Sequence, residues 1–227
     1  MPTSTRSRAA RPGRSQPMFV DYATLEQMLM RLFEVDETQR AALRGRFKYV
    51  RPRLLDKESI GRGVARYEVN DILRIVMVLE LEDAGYSPTR AIRIVKNHWD
   101  DLQGYFGDAW DAVREREAGG SAESLLWAVI PHLLREMGAD ASEDMVACNE
   151  TTGPLAPVTS GAWPRPALVS DRHFSAINLP HLLEACCEAL ATVGPDVAQH
   201  FRGALDLLAR ETAEQAGIAS REAAGGT

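Results

Sequence analysis

The segment from Thr24 to Trp99 places the tightest constraint on the fold, because helical patterns there alternate with short turns. Within it, residues 61–67 read GRGVARY and separate an arginine-rich helical pattern from a strongly apolar one that begins near Asn70. Glycine permits the backbone geometry of a tight hairpin, and arginine binds phosphate oxygens. The order helix, helix, hairpin, helix therefore predicts a winged helix-turn-helix module.

Charge is distributed unevenly along the 227 residues, whose overall formal charge is −6. Residues 1–100 contain 18 Lys and Arg against 13 Asp and Glu, whereas residues 101–227 contain 8 against 19. The first part is suited to meet a polyanion, and the second would be repelled from one. A hydrophobic content of 45% is ordinary for a globular protein that buries a core.

Cysteine usage and hydropathy predict a cytoplasmic protein without a membrane span. The three cysteines include the adjacent pair Cys186 and Cys187 and form no spaced disulfide framework. No apolar stretch approaches the ~20 residues of a membrane span, and no signal core follows the N-terminus. Adjacent side chains on a helix point about 100° apart, so we interpret the pair as small buried apolar groups. Metal binding and thiol sensing are the weaker alternatives, and no cofactor or metal is expected.

Residues 1–17 lack periodicity and scatter arginines among Ser, Pro and Gly, at Arg6, Arg8, Arg11 and Arg14. This composition predicts a disordered basic arm. Such an arm can lie along phosphates or in a minor groove, or it can be only a solvated tail. Both interpretations stay open.

Two helices are expected before the hairpin. Thr24 to Gln27 has the form of a capping box that opens a helix over about 24–33. Asp36 is a suitable N-cap for a second helix over about 37–51. The second helix has one apolar stripe for the core, formed by Leu43, Phe47, Val50 and Leu54.

A basic stripe runs beside that apolar stripe and is formed by Arg40, Arg44, Lys48 and Arg51. Ala41 and Gly45 lie next to it. Small residues allow close approach to a groove, while long cationic side chains reach phosphates and base edges. The stripe therefore predicts contact with DNA, and a solvated Lys/Arg face is the alternative.

The next two helices have clear start and stop signals. A helix over about 70–84 has apolar residues on more than one face and is ended by Gly85. Ser87 and Pro88 then form the N-cap and first residue of a helix that runs to about His98.

With these elements in place, the stretch from about 22 to 99 resembles a MerR-type winged helix-turn-helix domain. The resemblance lies in the exit from the wing and the helices after it, in the segments GVARY at 63–67, VNDILR at 69–74 and LEDAGYS at 81–87. The family's usual opening turn is replaced here by FEVDE at 33–37 and RFKY at 46–49.

The resemblance implies roles for individual residues. It places Arg40, Arg44 and Lys48 on a recognition helix in the major groove, and Arg62 and Arg66 on a wing that holds flanking phosphates. Tyr67 takes the position at which the family's wing tyrosine approaches the DNA backbone.

The second half is expected to be mostly helical, with a small β-hairpin or long loop. Residues 101–120 are predicted to form a connector with a short helix, because glycines interrupt any long dimerisation helix. We expect a helix over about 121–137, a loop over 144–175 with short strands at 145–149 and 167–169, and helices over about 179–193 and 195–215. Residues 216–227 are expected to be a frayed tail.

These patterns predict a mainly α protein, with a basic arm at 1–17, a winged domain at 18–100 and a dimerisation or effector domain at 121–215. The expected function is that of a bacterial, nucleoid-associated transcription regulator that binds double-stranded DNA as a homodimer. RNA polymerase or another regulatory protein is a further candidate partner. The sequence contains neither a nucleophile elbow nor a phosphate-binding glycine loop, so no motif predicts an enzyme. The alternatives are an adaptor whose winged domain docks a protein, and a small-molecule-binding protein that uses the 144–175 loop.

Overall fold

The computed structural model describes residues 19–55, 66–121, 126–130, 151–155 and 175–225. These residues form a mainly helical protein, as the sequence predicted. Its helices are α1 (Tyr22–Leu32), α2 (Arg40–Leu54), α3 (Val69–Asp83), α4 (Pro88–Asn97), α5 (Trp99–Glu117), α6 (Leu179–Val193) and α7 (Pro195–Gly225). Within the described ranges, no helix has the length and hydropathy needed to cross a membrane.

Two small antiparallel sheets connect the helices. Strand β1 (Val20–Asp21) pairs with β2 (Arg66–Tyr67), with Val20 opposite Tyr67, and so joins the start of α1 to the start of α3. In the second sheet, β3 (Leu126–Ile130) lies between β4 (Thr151–Leu155) and β5 (Ser175–Asn178). The strands expected at 145–149 and 167–169 fall outside the described residues.

The first two helices begin at other residues than the sequence predicted. Asp21, and not Thr24, caps α1, because its Oδ1 accepts the Thr24 backbone N–H at 2.8 Å. Asp36 instead closes a turn, accepting the N–H groups of Thr38 at 2.7 Å and Gln39 at 3.0 Å. As a result α2 begins at Arg40 and continues to Leu54, through Pro52.

The remaining predicted caps are confirmed to within a residue or two. At the start of α3, Glu68 and Asp71 form a capping box that the sequence pattern had not predicted. The Ser87 Oγ accepts the Arg90 N–H at 3.4 Å before α4, and the Asn178 Oδ1 accepts the His181 N–H at 3.2 Å before α6. Gly85, at φ 94°, follows the end of α3.

Three predictions for the second half are wrong. Residues 99–117 form one continuous helix and not a connector with a short helix, since Gly104 and Gly107 both lie inside α5. Residues 126–130, expected in a helix, form the central strand β3, because tertiary pairing on both sides overrides their helical pattern. The expected frayed tail is helical as far as Gly225, where α7 ends.

One hydrophobic core runs through the protein and includes buried side chains from both halves, such as Leu25, Val76, Phe106, Leu183 and Phe201. α5, α6 and α7 pack together as a bundle, and α1 packs against α6. Trp110 of α5 packs in this core, and its Nε1–H donates to Asp206 Oδ1 of α7 at 2.8 Å. The hydrogen bond satisfies the polar atom of this large buried side chain. The core packs against one side of α2, and residues on the opposite side of that helix are exposed.

Candidate nucleic-acid interface

α2 is anchored to the protein by its apolar stripe. Phe47, Val50 and Leu54 are buried and Leu43 is partly buried. The Phe47 ring packs edge-on against Tyr22 and Tyr67, with ring centroids 5.1 and 5.8 Å away. These contacts fix the rotation of α2 about its own axis and so determine which residues it presents to solvent.

Tyr67 belongs to this anchor. Its side chain is 1% exposed, and its hydroxyl is buried with no hydrogen-bond partner among the described residues. Burial raises the pKa of Tyr67 to about 12, because the phenolate form is poorly solvated there. In this structure the side chain that the resemblance places near the DNA backbone packs against α2.

The outer face of α2 consists of Ala41, Gly45 and Lys48, all exposed, and we call it the α2 outer face. A Cβ atom built on Gly45 would meet no atom within 4 Å, so the protein's own packing does not require glycine there. Glycine inside a helix costs about 1 kcal/mol relative to alanine. Small residues on this face leave room for a partner to come close to the helix backbone.

Glu26 of α1 binds two of the predicted DNA-contacting arginines. Its carboxylate accepts hydrogen bonds from Nε and Nη2 of Arg40, both at 3.1 Å, and from the same two atoms of Arg44. The Glu26 side chain is only 4% exposed. The hydrogen bonds from Arg44 and Arg40 hold the pKa of Glu26 at about 2, against the effect of burial, so it is ionised at neutral pH.

The two arginines nevertheless differ in what they can still bind. Nη1 of Arg40 is used by Glu37, at 3.2 and 3.3 Å from its carboxylate oxygens. Arg44 has a second hydrogen-bond partner in the Tyr22 side chain, and the Arg44 side chain is 47% exposed, against 31% for Arg40. Arg44 is therefore the more accessible of the two to a partner, whereas Arg40 pairs with two carboxylates within the protein.

The other predicted site residues are placed as follows. Lys48 is exposed and has no ion pair within the described part of the chain. Arg51 lies over the Tyr67 ring at 5.4 Å with its Nε buried, so it faces the anchor. Arg66 of β2 is exposed beside the exposed Phe19 ring, at 5.7 Å. Arg62 lies outside the described residues.

Sequence reasoning missed several residues that orient α2. Arg46 pairs with Glu82 of α3 at 2.9 Å, and the Tyr49 hydroxyl lies 2.9 Å from Thr89 Oγ1 of α4. The most informative omission is Glu26, which occupies the buried face of α1 between Leu25 and Met28. A carboxylate within an apolar stripe signals a buried partner, because an unpaired buried charge is costly.

The adjacent cysteines are confirmed as buried side chains. Cys186 and Cys187 are free thiols with 0% and 2% exposure. Burial raises the pKa of both, to about 11 for Cys187. Both thiols are therefore protonated at neutral pH, which disfavours the thiolate needed for metal binding or redox sensing.

Comparison of the chain with known protein families, with curated proteins and with solved structures finds no match in any of the three.

Proposed function

We propose that this protein is a sequence-specific transcription regulator that binds double-stranded DNA as a dimer, with α2 in the major groove. The observation that carries the proposal is the α2 outer face, where the small residues Ala41 and Gly45 adjoin the exposed Lys48, with the half-exposed Arg44 beside it. The helix is 15 residues long, which corresponds to about 22 Å at 1.5 Å per residue. The major groove admits a helix of this kind.

The charges around α2 support the proposal. Of the cations in its basic stripe, Arg40 pairs with Glu26 and Glu37, whereas Lys48 has no ion pair with any residue that the structure describes. Arg53 stacks on the Tyr49 ring at 3.9 Å, which leaves its positive charge at the C-terminal end of the helix. Several cations spaced along one exposed helix can each bind a phosphate of the DNA backbone, which gives more attraction than one cation would.

A dimer is part of the proposal for a physical reason. One helix contacts few base pairs, and two-fold pairing of two such modules doubles the contacts and sets the spacing of the half-sites. The bundle of α5, α6 and α7 is the proposed source of the contact between the two subunits.

The primary experiment is selection of bound fragments from a random DNA pool by the full chain, at low and at physiological salt. An enriched inverted repeat at both salt concentrations supports a dimeric, site-specific regulator. Uniform binding that vanishes with added salt would make the protein a non-specific binder. Absence of binding at both salt concentrations would overturn the proposal and favour the adaptor interpretation.

Lys48→Glu tests the placement of the interface. Reversing this charge should lower DNA affinity at least about tenfold and reduce the salt dependence. Thermal unfolding should change little, because Lys48 is exposed and pairs with no residue in the described ranges. The matched control is Lys96→Glu, which reverses another exposed lysine near the end of α4. Equal losses from both variants would show that overall charge, and not α2, determines binding.

A second candidate function, binding of a small molecule, is favoured by one cleft. It has a volume of about 630 Å³ and lies between the end of α1, the turn before α2 and the end of α6, with Met30, Arg31, Glu34 and Thr192 among its lining residues. Glu34 has a φ of 51°, a conformation that costs free energy in a non-glycine residue. A metabolite screen by thermal shift tests this function, and Thr192→Trp should abolish any shift that arises in the cleft.

A further inference from the structure

We infer that Glu26 is a positioning residue that determines base discrimination by Arg44, an inference that rests on the proposed function. Glu26 does not reach the α2 outer face itself, since it is 4% exposed. It acts through the guanidinium group that it holds.

The geometry separates the donors of Arg44 into two sets. A guanidinium carries five N–H donors in a rigid plane. Nε–H and one hydrogen of Nη2 face the carboxylate of Glu26. The remaining hydrogen of Nη2 and both hydrogens of Nη1 lie at the far end of the plane, which Glu26 does not occupy; the Tyr22 side chain is the other described group that hydrogen-bonds Arg44. A parallel pair of N–H donors at that end matches the O6 and N7 acceptors of guanine.

Because Glu26 holds the Arg44 side chain before DNA binds, less conformational entropy is lost on binding. A free arginine side chain loses rotamer freedom when it binds, and a partner that already fixes its plane reduces that loss. The two parallel hydrogen bonds to Glu26 fix the plane of Arg44, and Arg40 braces the same carboxylate from the other side. Arg40 has no N–H pair left for DNA, because Glu37 occupies its Nη1.

The same carboxylate also has an opposite effect on non-specific binding. Glu26 places one negative charge next to the surface that would face a polyanion, which weakens the attraction for any sequence. Glu26 should therefore raise affinity for the correct base pair and lower affinity for unrelated DNA. A residue that only stabilised the fold would change both affinities in the same direction.

The test compares Glu26→Gln with Glu37→Gln, since each removes one negative charge near the start of α2 but only Glu26 holds Arg44. Affinities are measured for the selected operator, for operators changed at one base pair, and for unrelated DNA. We expect Glu26→Gln to reduce discrimination at one base pair about fivefold or more, and to raise affinity for unrelated DNA about two- to threefold. Glu37→Gln should raise non-specific affinity by a similar factor and leave discrimination intact.

A second pair of variants keeps the test decisive if Glu26→Gln does not fold. Arg44→Lys keeps the positive charge but loses the paired donors, so it should lose at least about fivefold discrimination at the same base pair. Arg114→Lys makes the same exchange in α5, where Arg114 pairs with Asp206 at 3.5 Å, and should keep discrimination.

Two outcomes would overturn the inference. The first is unchanged discrimination in both Glu26→Gln and Arg44→Lys, and the second is a parallel fall of specific and non-specific affinity in a folded Glu26→Gln. A wild-type chain that shows no sequence preference would overturn the proposed function as well.

Discussion

Two glycines lie in the middle of helices in different regions of the molecule, and their surroundings are opposite. Gly45 of α2 faces open space, with no atom within 4 Å of a Cβ built on it. Gly107 of α5 faces α7, where a Cβ would overlap the Thr212 hydroxyl and lie 3.3 Å from the Ala209 Cα. Gly107 therefore allows α5 and α7 to lie close together, whereas no packing contact within the protein requires a glycine at position 45.

Two carboxylates extend the comparison. Glu26 in the α1–α2 region has two arginine partners and a pKa lowered to about 2. Glu80 of α3 faces α6, and there burial and the nearby Asp83 raise its pKa, with only His181 acting in the opposite direction. In the α1–α2 region a paired carboxylate fixes the direction of surface side chains, whereas the burial of Glu80 opposes its ionisation.

The largest effect is expected from Gly107→Ala. The added methyl group must push α5 from α7, and overpacking of this kind destabilises by about 1–3 kcal/mol. Gly104→Ala in the same helix is the matched control, since its Cβ would meet nothing within 4 Å and alanine should stabilise the helix by about 0.5–1 kcal/mol. Urea unfolding of both variants measures the difference. Equal stability would show that the close α5–α7 contact does not limit packing.

Glu26→Gln should destabilise the fold at neutral pH by about 1–3 kcal/mol, because the amide cannot pair with both arginines. The pKa of Glu26 is depressed from 4.5 to about 2, so its contribution is fully present above pH 4.5 and is lost as the pH falls towards 2. Unfolding free energies of wild type and variant should therefore converge between these pH values. A difference that stays constant down to pH 2 would contradict the assigned ion pairs.

Gly45→Ala should separate stability from binding. Alanine should raise the free energy of unfolding by about 0.5–1 kcal/mol, since nothing obstructs its methyl group. The same methyl group should weaken DNA binding if the groove approaches the α2 outer face closely. Stabilisation without any loss of affinity would mean that the bound DNA does not approach α2 at this position.

Glu80→Gln is expected to have the smallest effect and the opposite sign to Glu26→Gln. The raised pKa of Glu80 means that its ionisation opposes folding, so the penalty is absent at low pH and grows as the pH rises above its unfolded value. Removing the charge should stabilise the protein at pH 7 by less than about 1 kcal/mol. Thermal unfolding at pH 7 and pH 4 measures the change, and destabilisation at pH 7 would reveal a missed partner for the carboxylate.

Local signals in the sequence predicted much of the α3, α4 and α6 boundaries. Ser87 with Pro88, and Asn178 before Leu179, act within one helical turn, so no distant residue is needed to recognise them. The start of α1 was misplaced because two residues within one turn, Asp21 and Thr24, are both suitable caps. Only the pairing of β1 with β2 favours Asp21.

For the candidate site, spacing alone predicted that Arg40, Arg44 and Lys48 share a face of α2. It did not reveal that they differ in what they can bind, since Glu26 lies 14 residues before Arg40 in another helix. Likewise, Tyr67 ends the segment that the sequence predicted as a wing, but its ring packs against Phe47.

By itself the sequence determined the helical class, the apolar stripes and most caps, because these depend on residues within one or two turns of each other. Tertiary structure alone decided that 126–130 form a strand between two others, that α5 passes unbroken through Gly107, and that Glu26 holds Arg44. The physical reason is the same in all three. Strand pairing, helix separation and the pairing of a buried charge depend on atoms that are distant in sequence and meet only when the chain is folded.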